Sequence, residues 1–332
     1  MSYDKPIRRV AIVGTGVIGA SWAAQYLARG LDVVATDPAP NAEQKLRAYV
    51  DEAWQDLTSI GLAPGAARER LSFTTDMRAA LASADFVQEN GPERPDFKIK
   101  LYADMDAAAP PDSLIASSSS GITPSVMQSN CKHPERVLVG HPFNPPHVVP
   151  LVEIVPGNKT SAAAVEQAVR FYTSLGKKPI VLKKEVPGHV ANRLQLALYR
   201  EVLYLIEQGV VSVADADAAV SWGPGLRWGL MGPNLQFHLA GGAGGIEHFF
   251  AGVFEGLLPV FKTLGDPKIT PELKQKVAQG VLAEAGDRSV EQLAVEENRM
   301  LVALLGVRAN GSGSTTNTAP AAGKRKRIST AG

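Results

Sequence analysis

The 332-residue sequence predicts an α/β protein, a doubly wound and mostly parallel sheet followed by a smaller all-helical domain. In the first half, short apolar runs alternate with helical stretches, and parallel strands joined this way need helices on both faces of the sheet. From Pro187 onward the texture changes to long segments with apolar residues at helical spacing. The length also exceeds the usual ~100–200 residues of one domain.

Residues 9–13 read as a buried strand, the glycines that follow as a tight turn, 20–29 as a helix ending at Gly30, and 31–36 as a second strand. Further strands are expected at 86–87, 114–116, 137–140, 149–155 and 179–182. In the second half Val190, Leu194, Leu198, Val202 and Leu205 mark a helix over 190–207 that stops at Gly209. Helical patterning continues over 212–221, 244–264, 271–285 and 290–305, where the apolar residues suit core or dimer packing. We therefore expect a cofactor domain over 1–187, a helical substrate and dimerisation domain over 188–308, and a disordered tail over 309–332, low in apolar content. The run Lys324-Arg325-Lys326-Arg327 reads as part of a solvated tail.

Lys and Arg total 34 against 33 Asp and Glu, so no long-range field attracts a polyanion, and nucleic acid is not an expected partner. Cys131 is the only cysteine, which excludes an intrachain disulfide or a cysteine-rich metal site and suggests a reducing, cytoplasmic compartment. The four apolar residues Val10 to Val13 are too few for a signal or membrane segment. None of the seven tyrosines has a lysine four residues later, and no two histidines are four residues apart, so neither a Tyr/Lys acid–base pair nor a zinc site is expected.

The turn reads Gly14-Thr15-Gly16-Val17-Ile18-Gly19, placed between a strand and a helix. There Gly14 permits the turn, Gly16 lets the backbone approach a pyrophosphate, Gly19 permits close helix packing, and the helix N-terminus supplies free amides. This is the arrangement of a Rossmann dinucleotide site. Asp37 closes the second strand 18 positions past Gly19, where its carboxylate accepts from ribose hydroxyls and repels a 2′-phosphate, so NAD is the expected cofactor.

Oxidising an alcohol with a nicotinamide requires a base at the hydroxyl proton. His141 opens His141-Pro142-Phe143-Asn144-Pro145-Pro146 directly after the expected strand 137–140, at a strand end where ligands bind. Glu153, 12 positions on, is placed to receive the imidazole N–H and stabilise the imidazolium. Ser120, at the end of a serine run, and Asn192, early in the long helix, are candidates to hold the substrate oxygen.

Over about residues 8 to 307 these motifs, with Leu151-Val152-Glu153 and Pro187-Gly188-His189-Val190-Ala191-Asn192-Arg193, resemble the 3-hydroxyacyl-CoA dehydrogenase superfamily. The resemblance implies that Ser120, His141, Glu153 and Asn192 form the catalytic set, that Glu89, Glu93 and Lys98 serve the cofactor side with the glycine loop, and that the protein is a homodimer. Gly225-Leu226-Arg227-Trp228 and Leu239-Ala240-Gly241-Gly242 are most similar to a branch whose substrate carries a carboxylate and a trimethylammonium group on either side of a secondary alcohol. For such a molecule Arg227 suits the carboxylate. Trp222, Trp228, Phe143 and Phe237 offer aromatic faces to the cation, with Asn144 nearby. The serine run and His141-Pro142 also resemble a branch that oxidises a sugar acid and includes a lens crystallin, and an acyl-CoA substrate or a purely structural role remain alternatives.

Overall fold

The computed structural model describes residues 5–311. One eight-stranded sheet runs in the order β3-β2-β1-β4-β5-β6-β7-β8. Its strands are β1 (Arg9–Val13), β2 (Asp32–Thr36), β3 (Leu71–Thr74), β4 (Phe86–Glu89), β5 (Leu114–Ser117), β6 (Val137–Pro142), β7 (Leu151–Pro156) and β8 (Lys178–Val181). Strands β1 to β6 are parallel, whereas β7 runs antiparallel to β6 and β8 follows β7 in parallel. Strand order reverses between β1 and β4, which opens a crevice at their carboxyl ends.

Six helices flank the sheet: α1 (Val17–Ala28), α2 (Ala42–Ile60), α3 (Met77–Leu81), α4 (Pro95–Ala108), α5 (Pro124–Met127) and α6 (Ala162–Ser174). The helical half comprises α7 (Ala191–Glu207), α8 (Val213–Trp222), α9 (Pro224–Trp228), α10 (Pro233–Ala240), α11 (Gly245–Phe249), α12 (Glu255–Phe261), α13 (Pro271–Ala285) and α14 (Val290–Gly311). No described helix is long and apolar enough to cross a membrane.

Alternation along β1 builds a core on both faces: Val10 and Ile12 join Trp22, Tyr26, Phe86 and Phe171 on one side, while Ala11 and Val13 join Val87, Tyr102 and Met105 on the other. Phe171 of α6 meets Tyr26 of α1 at 5.8 Å and Phe86 of β4 at 4.5 Å, tying both helices to the sheet. Gln88 crosses this core, accepting from Tyr26 (3.0 Å) and Tyr172 (2.7 Å) and donating to Ser118 (2.9 Å).

Several expectations are corrected. β3 was not anticipated, because its four residues form an edge strand with partial burial and too short a pattern to read. β6 continues through Pro142, so His141 lies inside a strand rather than after one. The expected helix over 244–264 is divided by a π-helical stretch, Phe250–Phe254, which lets Phe249, Phe250 and Phe254 pack together at 5.1–5.8 Å. α14 runs to Gly311, past the expected end of the domain at 308, and the rest of the expected tail, with its basic run, lies outside the described residues.

A Cβ on Gly140 would lie 2.1 Å from the Tyr172 hydroxyl, within the packed core. Gly140→Ala is expected to lower the unfolding free energy by about 1–3 kcal/mol, measured by urea denaturation.

Candidate active site

The antiparallel β6–β7 ladder pairs His141 directly with Glu153. Their side chains meet across it, with His141 Nδ1 2.8 Å from Glu153 Oε2. Both are buried, Glu153 completely. The other carboxylate oxygen, Oε1, accepts from the backbone amides of Val190 (2.8 Å) and Ala191 (3.0 Å) at the start of α7. Burial pushes the Glu153 pKa up, but the His141 hydrogen bond and these amides outweigh it and hold the carboxyl below its ordinary value. An ionised Glu153 assigns the proton to Nδ1, which leaves Nε2 as the acceptor.

Each serine of the run that ends β5 and continues past it has an acid or amide partner. Ser117 donates to Glu89 (2.8 Å) and Ser118 to Asn90 (2.7 Å). Glu93 accepts from Ser119 Oγ (2.9 Å), and from Ser120 through its amide (2.6 Å) and hydroxyl (3.3 Å). Glu89 and Lys98 lie beneath this loop, both fully buried, with the ammonium 2.8 Å from each carboxylate oxygen; Tyr102 and the Gly91 amide complete the cluster. Lys98 is 4.0 Å from Glu93. Glu89, Glu93 and Lys98 thus spend their bonds shaping the β4–α4 and serine loops.

His189 ties these parts together, and no local pattern assigned it a role. It is fully buried, its backbone is left-handed (φ 52°), its Nε2 lies 2.9 Å from the Ser119 carbonyl, and its ring is 5.1 Å from that of His141. Gly188 before it is also left-handed, at φ 76°. The two residues turn the chain into α7 and set Asn192 in its first turn, next to the amides that hold Glu153.

At the crevice, Gly14 turns at φ 88°, and a Cβ there would meet the Asn90 backbone at 2.9 Å; a Cβ on Gly19 would lie 2.0 Å from the Gly14 carbonyl. Gly16 has nothing within 4 Å of the same position, so its flank is open. No side chain caps the N-terminus of α1, leaving the amides that begin at Val17 and Ile18 facing that opening. Asp37 is fixed beside the loop, accepting from Thr15 N (2.7 Å) and Ala39 N (2.9 Å). A pyrophosphate at Gly16 and a ribose at Asp37 fit this cradle.

Residues 9–186 match the NAD-binding domain of 3-hydroxyacyl-CoA dehydrogenase, and residues 188–289 match its C-terminal domain. The chain belongs to the 3-hydroxyacyl-CoA dehydrogenase family. As a member it is an NAD-dependent oxidoreductase acting on a CH–OH group. Two relatives are the L-carnitine dehydrogenases of Pseudomonas aeruginosa, 48% identical over 92% of this chain and 95% of that protein, and of Streptomyces coelicolor, 48% identical over 92% and 96%. Among solved structures, 5-formyl-3-hydroxy-2-methylpyridine 4-carboxylic acid 5-dehydrogenase, an NAD-dependent dismutase, is similar at a TM-score of 0.80 and 34% identity, covering 92% of this chain and 99% of that one. The (S)-3-hydroxybutyryl-CoA dehydrogenase of Ralstonia eutropha follows the fold at a TM-score of 0.63 and 29% identity, covering 83% and 95%.

Within this family fold, the residues read as substrate-binding divide into two groups. Phe143 lies edge-on to His141, ring centres 6.1 Å apart, and Asn144 is exposed on the same loop. Trp222 closes α8 and Arg227 and Trp228 lie in α9; all three are exposed, and among the described residues no hydrogen bond, ion pair or ring contact joins them to β6 or the serine loop. Phe237 stacks on Phe249 at 4.7 Å in the helical half and stays partly open, 42% exposed.

Two outcomes follow for the site. Gly16→Ala should leave thermal stability near wild type yet raise the NAD Kd on the order of tenfold or more, whereas Gly19→Ala should unfold the loop itself; calorimetry and NADH fluorescence titration separate the two. Because the folded-state pKa of Glu153 lies below its unfolded value, its ionised form stabilises the fold above the ordinary carboxylate range, and that contribution fades as pH falls through the folded value. The urea-midpoint gap between wild type and Glu153→Gln should therefore be widest at neutral pH and close on acidification.

Proposed function

We propose that this chain oxidises the 3-hydroxyl of L-carnitine to give 3-dehydrocarnitine, with NAD as acceptor. The observation that carries the chemistry is the His141 Nδ1–Glu153 hydrogen bond, which leaves one imidazole nitrogen free as a base. The near-full-length similarity to L-carnitine dehydrogenases supports the substrate.

When bound, NAD accepts hydride from the hydroxyl-bearing carbon. His141 Nε2 takes the hydroxyl proton, and the ionised Glu153 offsets the positive charge that arises on the ring. Ser120 Oγ and Asn192 hold the oxygen as it changes from alcohol to ketone. The Arg227 guanidinium, which has no side-chain partner within the chain among the described residues, suits the substrate carboxylate, with Trp222, Trp228 or Phe143 for the trimethylammonium.

We read residues 1–187 as the cofactor domain and 188–308 as the substrate and dimerisation domain, the two family matches meeting at this boundary. A homodimer is supported by the large apolar side chains on the helical half, where Leu194, Trp222 and Leu282 are 65%, 79% and 71% exposed. Cys131 is a free thiol whose pKa burial pushes up to about 12, an unreactive state suited to a reducing cytoplasm.

NADH formation with L-carnitine, L-gulonate and 3-hydroxybutyryl-CoA should give the highest kcat/KM for carnitine; no turnover of carnitine sinks the substrate reading. His141→Ala should abolish turnover with NADH affinity unchanged. Arg227→Ala should raise the carnitine KM by about tenfold or more, and an unchanged KM removes the carboxylate role.

A further inference from the structure

A cavity of about 230 Å³ lies between the sheet and α14, lined by Arg29 after α1, His147 in the β6–β7 loop, Lys177 before β8, and Leu305 and Gly306 of α14. Three basic side chains meet there. Lys177 is 4% exposed; its ammonium donates to the carbonyls of Pro146 and Val149 (3.3 Å) and sits 5.5 Å over the Trp22 ring. Among the described residues no carboxylate pairs with it.

Arg29 donates from Nη1 to the Gly61 carbonyl (3.2 Å), while its Nε is buried without a hydrogen-bond partner. His147, 4% exposed, shares its Nδ1 with Ser21 Oγ at 2.8 Å, and its Nε2 has no hydrogen bond. The facing acid is Asp56, whose Oδ2 lies 3.6 Å from that nitrogen and accepts from Asn298 (3.2 Å).

Like charges gathered away from water are unfavourable without a counter-charge, and buried donors without partners add to the cost. We propose that this cavity binds a small oxyanion of the phosphate or sulfate type, held by Arg29, Lys177 and His147. The guanidinium and ammonium supply charge and the three groups supply N–H donors, the usual chemistry of such sites. Burial first, and then the Arg29 charge, push the Lys177 pKa down to about 7, so the anion would be taken up together with a proton near neutral pH. Because Lys177 grips Pro146 and Val149, it would also firm the loop that joins His141 to Glu153.

Sulfate is the probe, since its charge does not change between pH 6 and 9. It is titrated into the full chain by calorimetry at fixed ionic strength with saturating NADH, which occupies the glycine-loop amides, the other place a dianion would go. The expected result is one sulfate per chain, with affinity rising at least about threefold from about pH 8.5 to about pH 6.5 as Lys177 gains its proton. Lys177→Met and Arg29→Gln should each weaken binding on the order of tenfold. Arg29 is only half-buried, so its variant carries the test if Lys177→Met does not fold. Absence of sulfate heat in the NADH-bound wild type, or equal affinity in Arg29→Gln, overturns the proposal.

Discussion

Burying a carboxylate is costly unless hydrogen bonds satisfy it, and Glu153 is satisfied from two directions at once. One oxygen fixes the His141 imidazole; the other receives the first amides of α7. A single charge thereby performs two tasks, choosing the tautomer of His141 and seating the helical domain on the sheet. The antiparallel β7 makes this possible, because in the ladder His141 and Glu153 are opposite residues whose side chains share a face.

Around this centre the polar groups are arranged so that few are left to chance. The carboxyl ends of β1 and β4 deliver the glycine loop and the Glu89–Glu93 segment to one crevice, and the serines from Ser117 to Ser120 are pinned to Glu89, Asn90 and Glu93 of that segment. Buried pairing of Glu89 with Lys98 stiffens the loop above it, because the two charges neutralise each other out of water, while the Gly16 flank stays open.

Much of this was legible in the sequence where local chemistry determines structure. β1 and α13 fall where the pattern placed them, the latter because Thr270 caps it, Pro271 opens it and Gly286 ends it. The glycine loop was readable for the same reason, each glycine answering to a separate steric demand. Relations between distant residues were not legible. A spacing of 12 does not reveal that His141 and Glu153 are ladder partners, since the register depends on how the intervening loop turns back. The partners of the serines, the role of His189 and the split between α11 and α12 depend on tertiary packing, to which periodicity is blind.

The two left-handed residues Gly188 and His189 form a sharp corner between the halves of the molecule. The ring of the second lies 5.1 Å from that of His141, and the amides just beyond donate to Glu153. Corner and ion-paired imidazole therefore share one short stretch of backbone, so a substitution that reshapes the turn at Gly188 and His189 also disturbs the amides that hold Glu153 against His141.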